Sequence, residues 1–468
     1  MNNNQTSTEI ITYPAPTELL RSKKYSVKVN GHASFTYQVN GWGDYGYGDY
    51  NSWKTVSWTN FAFLGGCVTI EITANFGTIG EVIVRPLSLG IIAAVSGNTA
   101  TFSIDNPCKI SIEVDDHYLN DKLFLFADAP EINPPQKTDL SVTYIEPGTH
   151  SNCEIGPGIF FFGAGVHNLS ENIIIASNTT LYLEGGAYVH GMFRGKEVEN
   201  VKIIGRGIIC GTSFNQRDGT GLINLSAKQT LIEGITMIDS PGWNLTVGPS
   251  DKKQIADNTF NNIKIIGMRL NADGIGAGGD RITINDIFIF SYDDAIDVGQ
   301  GKYNVEITNC VLYMEKASAL KISWNSNGCG NVHVKNISII HYDTDSDYME
   351  NEAVIMANHS APYVVQGILM EDITIETLDG LNKRFLGLFI RTSKWDREPD
   401  RFGSICDITI RNLNIMCRTS GNHICGLSAE HMISGIKFEN LMINGEKINN
   451  LADADITVNE FTENIRFE

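Results

Sequence analysis

The sequence predicts an all-β chain: an N-terminal β-sandwich followed by a right-handed parallel β-helix. Three observations carry that prediction. Short alternating apolar runs separated by turn residues fill residues 25–128. Paired prolines, Pro134 and Pro135, then interrupt the chain. Beyond them, short apolar runs recur at spacings of roughly 20 to 40 residues with no long amphipathic helix between them, the pattern of a solenoid.

Taken in order, residues 1–24 read as a polar lead-in and residues 25–135 as the sandwich. Tyr25-Ser26-Val27-Lys28-Val29, Val68-Thr69-Ile70-Glu71-Ile72 and Ile110-Ser111-Ile112-Glu113-Val114 alternate as half-buried antiparallel strands do. The Gly-Asp-Tyr-rich residues 41–50 read as a long packed loop. The prolines favour an extended linker, which places the boundary at residue 135. Residues 136–468 are then the solenoid. Val201-Lys202-Ile203-Ile204, Ile263-Lys264-Ile265-Ile266, Ile282-Thr283-Ile284 and Val332-His333-Val334 are among its strands. Their inward residues should stack into one core, and turn asparagines should stack in ladders. A second sandwich would also use short strands, but a repeat sustained over so long a stretch argues against it.

The formal charge of −19 excludes nucleic acid and acidic membrane surfaces as partners. A polyanionic substrate would need a basic cleft to overcome that field, whereas a neutral one would not. No apolar run is long enough to span a bilayer. The N-terminus shows no basic region followed by an apolar stretch, which predicts a cytoplasmic protein, or a secreted one if a leader has been removed. Nine scattered cysteines without a paired motif suit reduced thiols better than disulfides or zinc. Neither a metal nor another cofactor is expected. Asp343-Thr344-Asp345-Ser346-Asp347 begins like a calcium loop, but Tyr348 and Val354 occupy the positions that need glycine and glutamate. The histidines lack metal-ligand spacing, and His359 reads as a surface residue. A homo-oligomer is compatible with the composition.

The chemistry is concentrated in residues 271–297. Aligning successive coils by their apolar residues sets Asp273-Gly274-Ile275 beside Asp294-Ala295-Ile296-Asp297, and that beside Ser318-Ala319-Leu320-Lys321. Neighbouring coils lie about 4.8 Å apart, so Asp273 and Asp294 become stacked neighbours and Asp293 projects from the adjacent turn. Glycosidic hydrolysis needs one protonated carboxyl for the leaving oxygen and an ionised one to activate water. Close carboxylates provide both, because their repulsion raises at least one pKa. Carboxyls splayed about 6.5–9.5 Å apart would leave room for the water and invert configuration. Taken singly, Asp-Gly and Asp-Asp are ordinary turn formers; in register on successive coils they point to catalysis.

At these residues the chain resembles the polygalacturonase family and the related dextranase/isopullulanase family. Asn271-Ala272-Asp273-Gly274 is similar to the family's Asn-Thr-Asp-Gly, and Asp293-Asp294 to its Asp-Asp pair. Ser240-Pro241-Gly242-Trp243 and Tyr182-Leu183-Glu184-Gly185-Gly186-Ala187 are further matches, and Ile390-Arg391-Thr392-Ser393-Lys394 is loosely similar to the substrate-binding Arg-Ile-Lys motif. The resemblance implies a β-helix and an inverting mechanism, with Asp293 as general acid and Asp273 and Asp294 holding the attacking water. It implies a poly- or oligosaccharide substrate, either a galacturonan or a neutral α-glucan. Two departures bear on that choice. Ser318 stands where polygalacturonases have histidine, and Lys394 follows Arg391 by three residues instead of two. Residues 319–325, with Trp324, are similar to the dextranase side, as is a sandwich ahead of the β-helix.

Trp243, Tyr292, Trp324 and Trp395 are candidate sugar-stacking residues, Tyr292 for its place beside Asp293. Lys321 is expected to pair with Asp297 or to bind substrate, and Arg391 and Lys394 are candidate substrate ligands. Two rival readings use the same fold. A polysaccharide lyase or epimerase would need Ca²⁺ or a basic residue aimed at a uronate C5 proton. A non-catalytic carbohydrate-binding solenoid would tolerate loss of Asp273 or Asp293.

Overall fold

A computed structural model describes residues 8–41, 54–151, 154–215, 221–248, 256–299, 301–324, 328–344, 353–381, 383–392 and 401–468. These residues contain no α-helix, only three short 3-10 turns among many strands. The described cysteines are unpaired.

Two sheets form the N-terminal part. One joins Tyr25–Val29, His32–Ser34, Val68–Ala74, Ala94–Ser96 and Thr99–Ile104. The other joins Glu9–Thr12, Thr36–Asn40, Thr55–Leu64, Val82–Arg85, Cys108–Val114 and Asp121–Asp128. Two expectations are corrected here. The lead-in is structured: Glu9–Thr12 pairs antiparallel with Thr55–Leu64. Tyr13 and Pro14 then pack so closely on Gly185 and Gly186 that a Cβ on either glycine would overlap them. The sandwich is also not wholly antiparallel, since Asp121–Asp128 runs parallel to Thr55–Leu64.

The second sheet is apolar on both faces. In Asp121–Asp128, Leu123 and Leu125 face the sandwich core, while Phe124 and Phe126 face the solenoid. In Thr55–Leu64, Phe61 and Phe63 belong to the sandwich core, and Val56 and Trp58 to the contact with the solenoid. Burial on both sides erases the alternation that would mark a strand with one wet face.

From Val142 onward every inter-coil pairing is parallel, and the coils form a parallel β-helix. Ile203, Ile232, Phe260, Ile284, Ile307 and Val334 lie in register on successive coils and are all buried. Two residues past this row each coil turns a corner with positive φ. The corner is made by Gly205, Gly234, Asn262, Asp286, Asn309 and Asn336, then Asp372, Asn412 and Asn440. Such a backbone costs ordinary residues about 1–2 kcal/mol, and Gly, Asn and Asp are the types that adopt it most readily. The asparagines also bond from coil to coil, Asn309 Nδ2 to Asn285 Oδ1 at 2.8 Å and Asn336 Nδ2 to Asn309 Oδ1 at 2.6 Å.

The sandwich docks along one flank of this solenoid. Tyr37, Trp58, Phe124 and Phe126 mesh with Tyr188, Phe288, Phe290, Tyr292 and Tyr313. Buried ion pairs thread the same contact: Lys264 with Asp128 at 2.6 Å, Arg85 with Glu376 at 2.8 Å, and Lys54 with Glu315 at 2.8 Å.

Candidate active site

A third flank of the solenoid carries the acidic residues. Its core row runs Leu245, Ile275, Ile296, Leu320, Ile355 and Leu386, each paired with the next. This is the alignment the apolar pattern predicts. Counting back two residues sets Trp243, Asp273, Asp294 and Ser318 side by side. Backbone bonds fix the stack: Asn244 N–H to Asp273 O at 2.7 Å, Gly274 N–H to Asp294 O at 2.9 Å, and Ala295 N–H to Ser318 O at 2.8 Å.

Gly274 is present for closeness, not for a turn. It has no positive φ, but a Cβ there would lie 2.3 Å from the Ala295 carbonyl oxygen of the next coil. Asp-Gly is therefore part of coil stacking at this position.

One oxygen from each of Asp273, Asp293 and Asp294 lies within 4.8 Å of the others, and all three side chains are half-buried. Among the described residues this is the group of carboxylates spaced to share a cation. Positive charge is supplied by Lys321, whose Nζ is 2.6 Å from Asp294 Oδ2. Burial works against that ammonium, but Asp294, Asp273 and Asp297 outweigh it and hold its pKa above the usual lysine value. Burial, then repulsion from Asp293 and Asp294, pushes the Asp273 pKa well up. Burial and the Asp294 charge push Asp293 up to about 6. The group thus keeps a proton available close to neutral pH.

The turn that bears Asp293 is braced from both sides. Ser291 Oγ accepts the Asp293 N–H at 3.1 Å and donates to Ala272 O at 2.7 Å, tying the Asp293 turn to the segment that leads into Asp273. Asn244 Nδ2 donates to the carbonyls of Ala272 and Asp273 at 3.1 and 3.0 Å. Asp294 Oδ1 accepts the Ser318 N–H at 3.0 Å, and Asp293 Oδ1 accepts the Asp294 N–H at 2.8 Å. Neither Asn244 nor Ser291 stands out in the sequence. Asn244 follows Trp243 directly and Ser291 precedes the Asp pair, but nothing local reveals a bond to a carbonyl one coil away.

The other candidate residues divide. Trp243 lies one coil before Asp273 and is 37% exposed. Trp324 sits on the coil after Asp294, with Lys321 Nζ 5.3 Å from its ring centroid. Arg391 lies two coils further on, its Nε on Asn358 Oδ1 at 2.9 Å and its guanidinium over the Phe389 ring. Lys394, Trp395 and residues 345–350 of the acidic loop lie outside the described residues.

Three expectations change. Tyr292 does not open to the cleft; it is 1% exposed, packed in the contact with the sandwich, and donates to Glu315 at 2.9 Å. Lys321 pairs with Asp294 instead of Asp297, although Asp297 is its backbone neighbour, and Asp297 faces Lys302 at 3.6 Å. His359 is buried, bonded to Ser323 Oγ and the Tyr363 carbonyl, and burial pulls its pKa down.

No family model and no curated protein matches the sequence. Similar solved structures exist. Dex49A from Penicillium minioluteum, a dextranase, is 16% identical over 98% of this chain and 96% of its own, with a TM-score of 0.74. An exopolygalacturonase from Thermotoga maritima is 14% identical over 63% of this chain and 85% of its own, with a TM-score of 0.47. The catalytic domain of an α-1,3-glucanase is 10% identical over 97% and 96%, at 0.45. The likeness to Dex49A spans both parts of the chain and shows the fold, a β-sandwich joined to a parallel β-helix.

Proposed function

We propose that the chain is a glycoside hydrolase that cleaves O-glycosidic bonds of a neutral α-glucan through Asp273, Asp293 and Asp294. The observation that carries this reading is the convergence of three carboxylates from two stacked coils, with Asp293 titrating near 6. In this scheme protonated Asp293 donates to the glycosidic oxygen as the C1–O bond breaks. Water held between Asp273 and Asp294 adds to C1, and Asp294 takes its proton. Asp294 is suited to that step because Lys321 and the Ser318 N–H fix both of its oxygens.

Neutral substrate is favoured by charge. Three carboxylates at the site face two lysines, Lys321 and Lys316, and Lys321 is already tied to Asp294, while Arg391 stands coils away on Asn358 and Phe389. A galacturonan would add carboxylates to a site already rich in them. The likeness to a dextranase along the whole chain agrees with this choice. A lyase or epimerase is disfavoured because Lys321, with its raised pKa, is a poor base for a C5 proton.

The test is release of reducing ends from dextran, pullulan, pectate and short oligosaccharides. Dextran or another neutral glucan should be cleaved, and Asp293→Asn should lose activity by about 10³-fold or more while remaining folded. Near-normal turnover by that variant would end the assignment. Product anomers followed by NMR should show inversion, as expected for a water held by two carboxylates. Retention in the first product would show that one of the stacked aspartates attacks C1 directly.

A further inference from the structure

The turn carrying Asp293 is also held by the β-sandwich. Tyr292, the residue before Asp293, buries its ring in the contact between the two parts. Its hydroxyl donates to Glu315 Oε2 at 2.9 Å and accepts from Lys54 Nζ at 3.2 Å. Lys54 also donates to Glu315 Oε2 at 2.8 Å, and Lys122 pairs with Oε1. Both lysines come from the sandwich; Glu315 and Tyr292 come from adjoining coils. Lys122 is itself fixed, with its ammonium directed at the carbonyls of Tyr118 and Leu119 and set over the Phe290 and Tyr313 rings. The Glu315 N–H donates to Ser291 O at 3.0 Å, and Ser291 Oγ accepts the Asp293 N–H. An unbroken polar path therefore runs from the sandwich to the Asp293 backbone.

We infer that the β-sandwich is a positioning part of the active site: Lys54 and Lys122 anchor Glu315, and Glu315 anchors Ser291 and Tyr292, which orient Asp293. This rests on the glycosidase reading for its kinetic consequence but not for its structural one. Tyr292 is a positioning residue, not a sugar platform. The network is more than a domain clamp because its end point is the acid-bearing turn. The Arg85–Glu376 pair in the same contact, two coils further on, has no such end point and is the natural control.

The experiment compares Tyr292→Phe, Lys54→Met, Lys54→Arg and Glu376→Gln in the full chain. Tyr292→Phe and Lys54→Met should lower kcat about tenfold with KM within about twofold, the split expected when orientation and not binding is lost. The alkaline limb of their pH profiles should move by about half a unit. Lys54→Arg, which keeps the charge but not the shape, should recover part of the kcat lost in Lys54→Met, and Glu376→Gln should leave kcat within about twofold despite the lost interface pair. Unchanged kcat and pH profile in Tyr292→Phe would overturn the proposal, as would an equal loss in Glu376→Gln. A second measurement needs no substrate: the Asp293 carboxyl is followed by ¹³C NMR against pH, assigned with Asp293→Asn. Its midpoint should shift in Tyr292→Phe, and an unmoved midpoint would overturn the inference even if no glycan were cleaved. Absence of hydrolysis by the parent chain, with a shifted midpoint, would instead count against the glycosidase reading alone.

Discussion

Asp293, half-buried, and Glu315, buried, are acids on adjoining coils, and they have opposite fates. Glu315 meets Lys122, Lys54 and the Tyr292 hydroxyl, and the two lysines overcome burial to pull its pKa down to about 2. Asp293 is raised by burial and by the Asp294 charge, which Lys321 and Lys316 offset only in part, and its pKa rises to about 6. Burial opposes ionisation in both. What separates them is the sign of the nearest charges. On the docking flank the solenoid uses an acid as structure; on the cleft flank it leaves acids in excess, and that excess is the stored proton that the proposed chemistry needs.

The sharpest way to break this contrast is Glu315→Gln. It leaves two lysine ammoniums in the interface without their carboxylate, and loss of one partner of a buried pair costs about 3–5 kcal/mol. Because the Glu315 pKa is lowered, its stabilising effect is present above the ordinary glutamate pKa and fades as pH falls toward 2. Urea unfolding should therefore show a large loss at pH 7 that shrinks with acidification. A small, pH-independent loss would mean that Glu315 acts by packing alone.

Gly274→Ala attacks the other flank through geometry. The new Cβ would lie 2.3 Å from the Ala295 oxygen and 2.9 Å from Ile289 Cδ1, so the coils bearing Asp273 and Asp294 must part. Overpacking of this kind costs about 1–3 kcal/mol. On the proposed mechanism activity should fall more than stability explains, since the displaced segments carry Asp273 and Asp294. A fully active variant would show that the stacked spacing is not required.

Asp293→Asn should do the reverse of Glu315→Gln. A carboxyl whose pKa is raised on folding favours the folded state below its unfolded pKa and loses that contribution as pH rises through 6. Replacing it with a neutral amide removes the penalty at neutral pH. Thermal unfolding should show a variant more stable than the parent at pH 7 to 8 by roughly 1–2 kcal/mol, with the difference gone near pH 4. An inactive but stabilised variant would mark Asp293 as a residue kept for chemistry at the expense of the fold.

Much of this was legible in the sequence. The apolar rows Ile275, Ile296 and Leu320 locked the coils together, and so placed Asp273 beside Asp294 without any knowledge of the turns. Corner asparagines were visible for the same reason, because a left-handed corner admits few residue types. What escaped was whatever depends on a third layer. Thr55–Leu64 went unread because both its faces are buried. Adjacency to Asp293 suggests that Tyr292 faces the acids, yet a side chain one residue along a turn can enter a different environment. Lys321 was matched to Asp297 by backbone register, but its long flexible stem reaches past that neighbour to Asp294. Register fixes Cα positions; ion pairs are decided by reach and by competing charge.

Trp243→Ala gives the smallest expected effect on stability and the cleanest division between the two flanks. Its ring is 37% exposed and the register places it one coil before Asp273, so little packing is lost when it is removed. The change in unfolding free energy should stay within about 0.5 kcal/mol. The Ser240 hydroxyl bonds to the Trp243 carbonyl, and that backbone bond survives the substitution. If the ring is a platform for sugar, KM should rise about tenfold with kcat less affected, since stacking contributes to binding before and during the reaction alike. Tyr292→Phe should show the opposite split, with kcat lowered and KM held. The two aromatics lie on either side of the same acids, one facing solvent and one facing the sandwich. Equal kinetic signatures from both would remove the distinction between a residue that binds substrate and one that orients the acid.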